Sequence, residues 1–156
     1  MKLSELLPES AVLLDLDGSD KWQIIETLSQ ALVRTEQIEG ALFDEVHSAL
    51  VARETSMSTG MEAGLAIPHA SVARVEKTAV ALGIAREGVD FAAIDGGTTH
   101  LVMLLVNPSN RTKSHIRTLA EIARLLGDAD LRQALREAPG PAAALDLIRE
   151  AESAGA

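Results

Sequence analysis

The sequence predicts an α/β protein, a single domain in which a mixed β-sheet is flanked by helices on both faces. Residues 78–85 and 101–106 are short apolar runs between polar and glycine-rich turns, a pattern typical of strands buried on both faces. Other segments repeat apolar residues every three or four positions, which indicates amphipathic helices. A length of 156 residues matches one domain. We therefore expect one unit over residues 1–156, with an ordered core over residues 3–150.

The first third of the chain predicts one strand and two long helices. A helical turn over residues 4–7 precedes a short strand over residues 11–14, and residues 17–20 are expected to form a turn that ends in a helix N-cap. The apolar face of the next helix comprises Trp22, Ile25, Leu28 and Leu32. The second helix, over residues 38–52, has an apolar face made of Leu42, Phe43, Val46 and Leu50. Its end brings Arg53 to the loop before Gly60.

The second half of the chain predicts three more helices after the buried strands. Residues 95–97, Asp-Gly-Gly, are expected to form the turn between those strands. The helix over residues 113–126 has four apolar residues on its inward face, which are Ile116, Leu119, Ile122 and Leu126. Asp128 is a candidate N-cap for a short helix that ends before Pro139. Pro141 is expected to begin a last helix that ends near residue 150.

Composition disfavours several classes of protein. The formal charge of −9 disfavours nucleic-acid binding, because few counterions would be released, and it suits a basic protein partner. The absence of cysteine excludes disulfides and thiolate catalysis. No apolar run approaches the roughly 18 residues of a membrane helix, and the first residues lack the apolar region of a signal peptide. We therefore expect a cytoplasmic protein that is not inserted in a membrane.

The most informative residue is His69, near the end of the segment 60–70, Gly-Met-Glu-Ala-Gly-Leu-Ala-Ile-Pro-His-Ala. The apolar run 65–67 stops at Pro68, which cannot donate to a sheet and so marks a strand end or a bulge. A histidine just beyond that point is expected to be held at the edge of the sheet, where sites in open α/β folds commonly lie. A lone histidine beside an apolar run is more often structural than functional.

Groups that suit a phosphoryl oxygen precede this histidine. Arg53 offers a guanidinium that can bind two phosphate oxygens and does not lose its proton. Ser58, Thr59 and Gly60 offer hydroxyls and backbone amides for binding phosphate, although the serine and the threonine could also be simple turn residues. A neutral imidazole among such groups can act as a nucleophile in phosphoryl transfer, where positioning and charge neutralisation do most of the work.

A second histidine, His115, is expected in the first turn of the helix that residues 110–114 open. The helix dipole disfavours a protonated imidazole there, which leaves a neutral ring able to donate a hydrogen bond to phosphate. The alternative is a helix-edge residue that bonds to its own helix terminus. His47 is expected to be a packing residue, and His100 has no motif around it. No two of the histidines are four residues apart, so a metal site is not indicated.

Together these segments resemble the type-2 enzyme IIA family of the bacterial phosphotransferase system, which comprises fructose, mannitol and nitrogen-related branches. The resemblance covers nearly the whole chain and rests on three motifs: Ala-Arg-Glu at Arg53, the segment 60–69 ending in Ala-Ile-Pro-His, and Ser-His at His115 followed by Leu119. It implies the mannitol/fructose-type IIA fold. It also implies that His69 carries phosphate, that His115 donates a hydrogen bond to it and that Arg53 stabilises its charge.

The resemblance further implies a phosphotransferase component with a phosphohistidine intermediate, which receives phosphate from the phosphocarrier protein HPr or its nitrogen-branch paralogue. It implies no metal, nucleotide or other cofactor, because the donor is already an activated phosphoramidate. A free-standing domain favours a regulator that acts through its phosphorylation state. The first alternative is a sugar-transport component, whose IIB acceptor cysteine would lie on another chain, since this one has none. A protein-binding module that is never phosphorylated is the second alternative.

Overall fold

The computed structural model describes residues 2–14, 16 and 20–154. In this part of the chain, six α-helices and a five-stranded mixed sheet form the α/β fold that the sequence predicts. The helices are α1 (Leu3–Leu6), α2 (Lys21–Arg34), α3 (Phe43–Ser56), α4 (Thr112–Leu126), α5 (Ala129–Arg136) and α6 (Pro141–Ala154). The strands are β1 (Val12–Leu13), β2 (Leu65–Ala66), β3 (His69–Val72), β4 (Ala79–Val89) and β5 (Thr99–Pro108). Short 3-10 turns cover Glu9–Ala11, Gly40–Leu42 and Glu62–Gly64.

The sheet is built around the antiparallel pair β4 and β5, the two apolar runs of the sequence. β1 pairs with β4 in parallel, whereas β2 and then β3 pair in parallel with successive parts of β5. The first seven residues of β4 and nearly all of β5 are buried, which confirms the expectation of strands covered on both faces. Because β2 and β3 pair only with β5 among the described strands, they form one edge of the sheet.

The helices form two groups that cover the sheet. α2 and α3 pack on each other and contact β4 and β3, respectively. The other group comprises α1, α4, α5 and α6, which contact one another and pack on β1, β4 and β5. The buried residues of both groups and of the sheet form one continuous aliphatic core, in which Phe91 is the one buried aromatic side chain among the described residues. This arrangement places the edge strand β3 beside α3.

Helix α2 begins as predicted and buries three of the four residues of its predicted apolar face, Ile25, Leu28 and Leu32. The Asp20 carboxylate accepts a hydrogen bond from the Gln23 amide at 2.9 Å, which confirms the N-cap, while residues 17–19 lie outside the described residues. The prediction that Trp22 lies on the buried face is wrong, since its side chain is 40% exposed. The buried stripe consists of Ile24, Ile25, Leu28, Ala31 and Leu32. Trp22 lies in the first turn, where the Lys21 ammonium covers its ring at 4.9 Å.

Helix α3 begins later and ends later than the sequence pattern predicts. A 3-10 turn occupies Gly40–Leu42, so the α-helix begins at Phe43, and it continues to Ser56 because no glycine or proline interrupts it before Gly60. Arg53 therefore lies in the last turn of the helix rather than in the following loop, which corrects the expectation.

The predictions for the C-terminal helices hold except at two points. The Asp128 side chain caps α5 by accepting from the amides of Asp130 and Leu131, as expected. Helix α6 extends four residues beyond the predicted end, to Ala154. The prediction that Ile116 faces inward is wrong, since this side chain is 59% exposed. Only the second half of α4 packs against the core, so its first two turns, which carry His115, stand in solvent on most sides.

Candidate functional site

His69 is the first residue of edge strand β3, not a residue just beyond a strand as the sequence suggested. Pro68 interrupts the edge, so that β2 ends at Ala66 and β3 resumes at His69, opposite Leu105. The interruption is tolerated because the Pro68 carbonyl still accepts the Leu105 amide at 2.9 Å. A proline without an N–H fits an edge strand, where the missing donor breaks no ladder on a second side. The sheet therefore holds the backbone of His69 rigidly.

The hydrogen bonding of the His69 ring fixes its tautomer. Nδ1 lies 2.7 Å from the carbonyl oxygen of Ile67, which can only accept, so the proton is on Nδ1 and the lone pair is on Nε2. Burial lowers the pKa of His69 below its usual value, and the nearby Arg53 guanidinium lowers it further, against the opposing effects of the Ile67 carbonyl and Glu54. The ring is therefore neutral near pH 7, with Nε2 available as a nucleophile.

His115 lies beside His69, as the sequence predicted. The two ring centroids are 5.6 Å apart and the rings are tilted by 47°. Burial, and then the neighbouring His69 ring, lower the pKa of His115. Its Nδ1 is buried without a hydrogen-bond partner among the described residues, so an N–H there would be more costly than a lone pair. The favoured neutral tautomer therefore carries its proton on Nε2 and can donate it.

Arg53 brings a positive charge close to the pair of histidines. From the last turn of α3 its Nη1 donates to the Met57 carbonyl at 2.7 Å, which holds the guanidinium over the loop that leads to β2. Its charge is near enough to lower the pKa of His69. One nitrogen is thus engaged with the backbone, and the remaining donors of the guanidinium are suited to an anion in the cleft.

The hydroxyls of Ser58 and Thr59 and the amides of Thr59 and Gly60 are engaged within the protein. The Ser58 hydroxyl donates to the Phe91 carbonyl and accepts the Gly60 amide at 3.1 Å. The Thr59 amide and hydroxyl both donate to the carboxylate of Glu54. These bonds favour the alternative that Ser58 and Thr59 are turn residues, and phosphate binding by Ser58, Thr59 and Gly60 stays a prediction.

Glu54 is the residue of the site that sequence reasoning did not select. It is 2% exposed, and its carboxylate accepts two hydrogen bonds from Thr59 and one from the Lys21 ammonium at 3.3 Å. A signal was present in the sequence: Glu54 continues the spacing of Val46 and Leu50, so it falls on the buried stripe of α3. A carboxylate on such a stripe requires partners.

The site opens into a cleft of about 780 Å³. Its walls come from both helical groups, with Arg53 from α3 on one side and Leu119 and Ala123 from α4 on the other. Its charged lining residues are Arg53, Arg132 and Glu62. Two cations against one carboxylate suit an anion, although the chain as a whole carries a charge of −9.

The other two histidines lie in different surroundings. His47 stacks on Phe43, with centroids 5.5 Å apart, which agrees with the expected packing role. His100 is the second residue of β5, and its Nδ1 is 3.0 Å from the Ala85 carbonyl. In the described part of the chain, no three histidine, aspartate or glutamate side chains are arranged to hold a metal ion. No helix there is long and apolar enough to cross a bilayer.

The fold and the site define an α/β protein whose cleft contains a neutral imidazole and a guanidinium, with a second neutral imidazole beside the first. Residues 5–151 match the family model described as "Phosphoenolpyruvate-dependent sugar phosphotransferase system, EIIA 2". The chain belongs to this family, as its motifs indicated, and it is a phosphotransfer component.

Two relatives and one solved structure represent the branches that the chain resembles. A "Nitrogen regulatory protein" of Pseudomonas aeruginosa is 30% identical over 155 residues, which cover 98% of each chain. A "PTS system fructose-specific EIIABC component" of Bacillus subtilis is 30% identical over 150 residues, 96% of this chain but only 23% of that protein. The crystal structure of "Nitrogen Regulatory Protein IIA-Ntr" from Neisseria meningitidis superposes with a TM-score of 0.84 at 30% identity, covering 93% of this chain and 97% of that one.

Proposed function

We propose that Nε2 of His69 accepts a phosphoryl group from a phosphocarrier protein, HPr or its nitrogen-branch paralogue, in the cytoplasm. The observation that carries the proposal is the hydrogen bond from His69 Nδ1 to the Ile67 carbonyl. It leaves Nε2 as the one nucleophilic nitrogen of the ring, within a cleft that also contains Arg53. Family membership supports the same chemistry.

The proposed transfer requires no external co-reactant. The lone pair of His69 Nε2 attacks phosphorus, the P–N bond of the donor's phosphohistidine breaks, and its electron pair returns to the donor imidazole. The His69 proton remains on Nδ1, bound to the Ile67 carbonyl. Because the ring gains positive charge as Nε2 bonds to phosphorus, that carbonyl stabilises the product more than the reactant.

Two neighbours would stabilise the phosphoryl group. His115, 5.6 Å from His69 between centroids, would donate from Nε2 to a phosphoryl oxygen. Arg53 would neutralise the negative charge of the other oxygens with its remaining N–H donors. Because both groups are already in place before the phosphoryl group arrives, little reorganisation accompanies its transfer.

An apolar rim supports a protein as the donor. Met57, Met61, Ile94 and Ile116 are large hydrophobic side chains exposed to solvent. Met61 and Ile94 line the cleft, Met57 carries the carbonyl that binds Arg53, and Ile116 follows His115. Exposed apolar side chains gathered around one site suit a protein surface, and the net charge of −9 suits a basic partner.

We assign the chain to the regulatory branch, in which phosphorylation of His69 decides which protein is bound. The superposition on IIA-Ntr, with its TM-score of 0.84, supports this assignment. The alternative is the transport branch, in which His69 passes the group to a cysteine of a separate IIB chain. The equal identity of 30% to the fructose-specific relative supports that alternative.

The proposal is tested with phosphoenolpyruvate, enzyme I and either phosphocarrier. The native chain is expected to gain one acid-labile phosphate, and His69→Ala to gain none. His47→Ala is the control, since His47 stacks on Phe43 and is not among the residues that line the cleft. Phosphorylation of His69→Ala at the native rate would refute the assignment, and an unphosphorylated native chain would favour a binding module.

The branch is decided by adding a IIB domain to the phosphorylated chain. Loss of the phosphate to the cysteine of IIB within seconds to minutes would establish transport. Retention of the phosphate, together with a faster reaction from the nitrogen-branch phosphocarrier than from HPr, is expected for the regulatory branch.

A further inference from the structure

A continuous series of hydrogen bonds joins the buried carboxylate of Glu54 to the ring of His69. The Thr59 amide donates to Glu54 Oε2 at 2.9 Å, and the Thr59 carbonyl accepts the Ile67 amide at 3.2 Å. The Ile67 carbonyl in turn accepts His69 Nδ1–H at 2.7 Å. Donors and acceptors point the same way at every step, so each bond polarises the next.

The carboxylate at the start of this series is held in one place. Its side chain is fully buried, and its ammonium partner on Lys21 is 16% exposed. Lys21 opens α2 and lies over the Trp22 ring, which restricts its own movement. A buried carboxylate is stable only when its oxygens are satisfied, and here Thr59 and Lys21 supply three donors.

We propose that Glu54 is a positioning residue for His69, which acts through Thr59 and Ile67 to orient the imidazole and to stabilise the positive charge that the ring gains on phosphorylation. The inference rests on the proposed function of His69. Glu54 touches neither the phosphoryl group nor the ring, so its influence passes through the two peptide groups. Carboxylates that hold a histidine in the correct tautomer act in this way in other enzymes, usually by direct contact.

The competing interpretation is that Glu54 only fastens α3 to α2 through Lys21. That role predicts a loss of stability on substitution and no specific effect on His69. The two interpretations differ in what they predict for the His69 ring. If Glu54 acts through the series that ends at Nδ1, removal of its charge should lower the pKa of His69. The titrating ring also faces Arg53 and His115, and both remain in the variants below.

The test is Glu54→Gln, which preserves the shape of the side chain and removes its charge. We expect phosphoryl acceptance to slow by roughly 10- to 100-fold, the scale seen when a group that orients a ligating histidine is removed. We also expect a lower pKa for His69, measured by NMR titration of the ring. Glu152→Gln is the matched control, since Glu152 is a buried carboxylate on α6 that accepts the Ser4 amide at 3.2 Å. It should lose comparable stability and keep the native rate and His69 titration.

A native rate and a native His69 titration in Glu54→Gln, with a lowered melting temperature, would overturn the inference. If that variant does not fold, Glu54→Asp serves instead, because it keeps the charge and withdraws the carboxylate from the Thr59 amide. A several-fold slower transfer is expected from Glu54→Asp, and an unchanged rate would overturn the inference.

The inference and the proposed function fail in different ways. Phosphoramidate, a small donor that phosphorylates imidazoles, replaces the protein donor in a parallel series. If the native chain reacts with phosphoramidate at His69 but with no phosphocarrier, the proposed partner is wrong, and the difference between native and Glu54→Gln chains still tests the inference. If His69 is not phosphorylated by either donor, the proposed function is wrong, and with it the positioning role of Glu54.

Discussion

At the scale of single residues, the site is a pair of neutral histidines in complementary tautomers. The Ile67 carbonyl places the His69 proton on Nδ1, and the unpartnered buried Nδ1 of His115 favours a proton on its Nε2. One ring therefore offers a lone pair and the other an N–H. A nucleophile and a hydrogen-bond donor are thus in place without any protonation of either ring.

The pH dependence of the reaction follows from these rings. The pKa values of His69 and His115 are both lowered, first of all by burial. Each ring therefore becomes protonated only at a lower pH than an ordinary histidine, whose pKa is about 6.5. Since the neutral His69 ring is the proposed nucleophile, the rate at which it reacts with phosphoramidate should hold from pH 8 down past that value and fall only at lower pH. N-acetylhistidine amide, titrating normally, is the control. If the reaction rate of the protein declines at the same pH as the rate of the control, the assignment of a lowered pKa to His69 is contradicted.

Arg53 should matter for the reaction more than for the fold. Arg53→Lys keeps the charge and loses the planar fork, so it should slow transfer, and Arg53→Ala should slow it by roughly 10²-fold, the scale for loss of one transition-state donor. Melting temperatures should stay near native. Arg74→Ala removes an exposed arginine that pairs loosely with Glu45 at 3.9 Å and serves as the control.

The competing role for Arg53 is a favourable interaction with the C-terminal end of α3, worth about 0.3–1 kcal/mol. An unchanged transfer rate in Arg53→Ala, accompanied by a lowered melting temperature, would establish that role instead.

At the scale of elements, the site depends on the loop that contains Gly60, which lies close to the backbone of Phe91 and Ala93. Gly60 forms an antiparallel bridge to Ala66, and its carbonyl accepts the Ile94 amide. A Cβ on Gly60 would lie 2.8 Å from the Phe91 carbonyl oxygen and 2.9 Å from Ala93 Cα. Because both contacts are with backbone, the loop that holds Ser58 and Thr59 would have to move.

Gly60→Ala should therefore lower the free energy of unfolding by about 1–3 kcal/mol, the range for overpacking, and also slow phosphoryl acceptance. Urea unfolding and the transfer rate measure the two effects. In Gly40→Ala the new methyl meets only Val33 Cγ1 at 3.7 Å, an ordinary contact, so the change should be small. Equal effects of the two substitutions would show that the close approach at Gly60 is unimportant.

Local patterns predicted the elements whose structure is decided locally. The caps at Asp20 and Asp128 depend on their own following amides, and the buried strands 79–85 and 101–106 depend on composition. The break at Pro68 was predicted, but the return of the chain to the sheet at His69 was not, because it depends on β5 being long enough to pair with both β2 and β3.

Residue periodicity alone did not predict which side chains are buried where burial depends on elements distant in sequence. Ile116 has the spacing of a buried residue, but the first turns of α4 extend past the core. Glu54 has the spacing of a buried residue too, and it is buried, because Lys21 and Thr59 from elsewhere in the chain satisfy its charge. The motifs located the histidines correctly, whereas the hydrogen bonds that fix their tautomers required the structure.

At the scale of the whole molecule, the site lies where the two helical groups meet at one edge of the sheet. Arg53 and Glu54 come from α3, His69 from β3 and His115 from α4, which belongs to the other group. No single element contains the candidate site. The site therefore forms only when both groups are packed on the sheet, which explains why residues 46 positions apart lie side by side.

The most direct test of the account is an NMR spectrum of the chain with ¹⁵N-labelled histidine, recorded before and after phosphorylation by phosphoenolpyruvate, enzyme I and the phosphocarrier. We expect one of the four histidines to become phosphorylated. It should be His69, with phosphorus bonded to Nε2 and the proton retained on Nδ1. Phosphorus on His69 Nδ1, or on His115, would contradict the account.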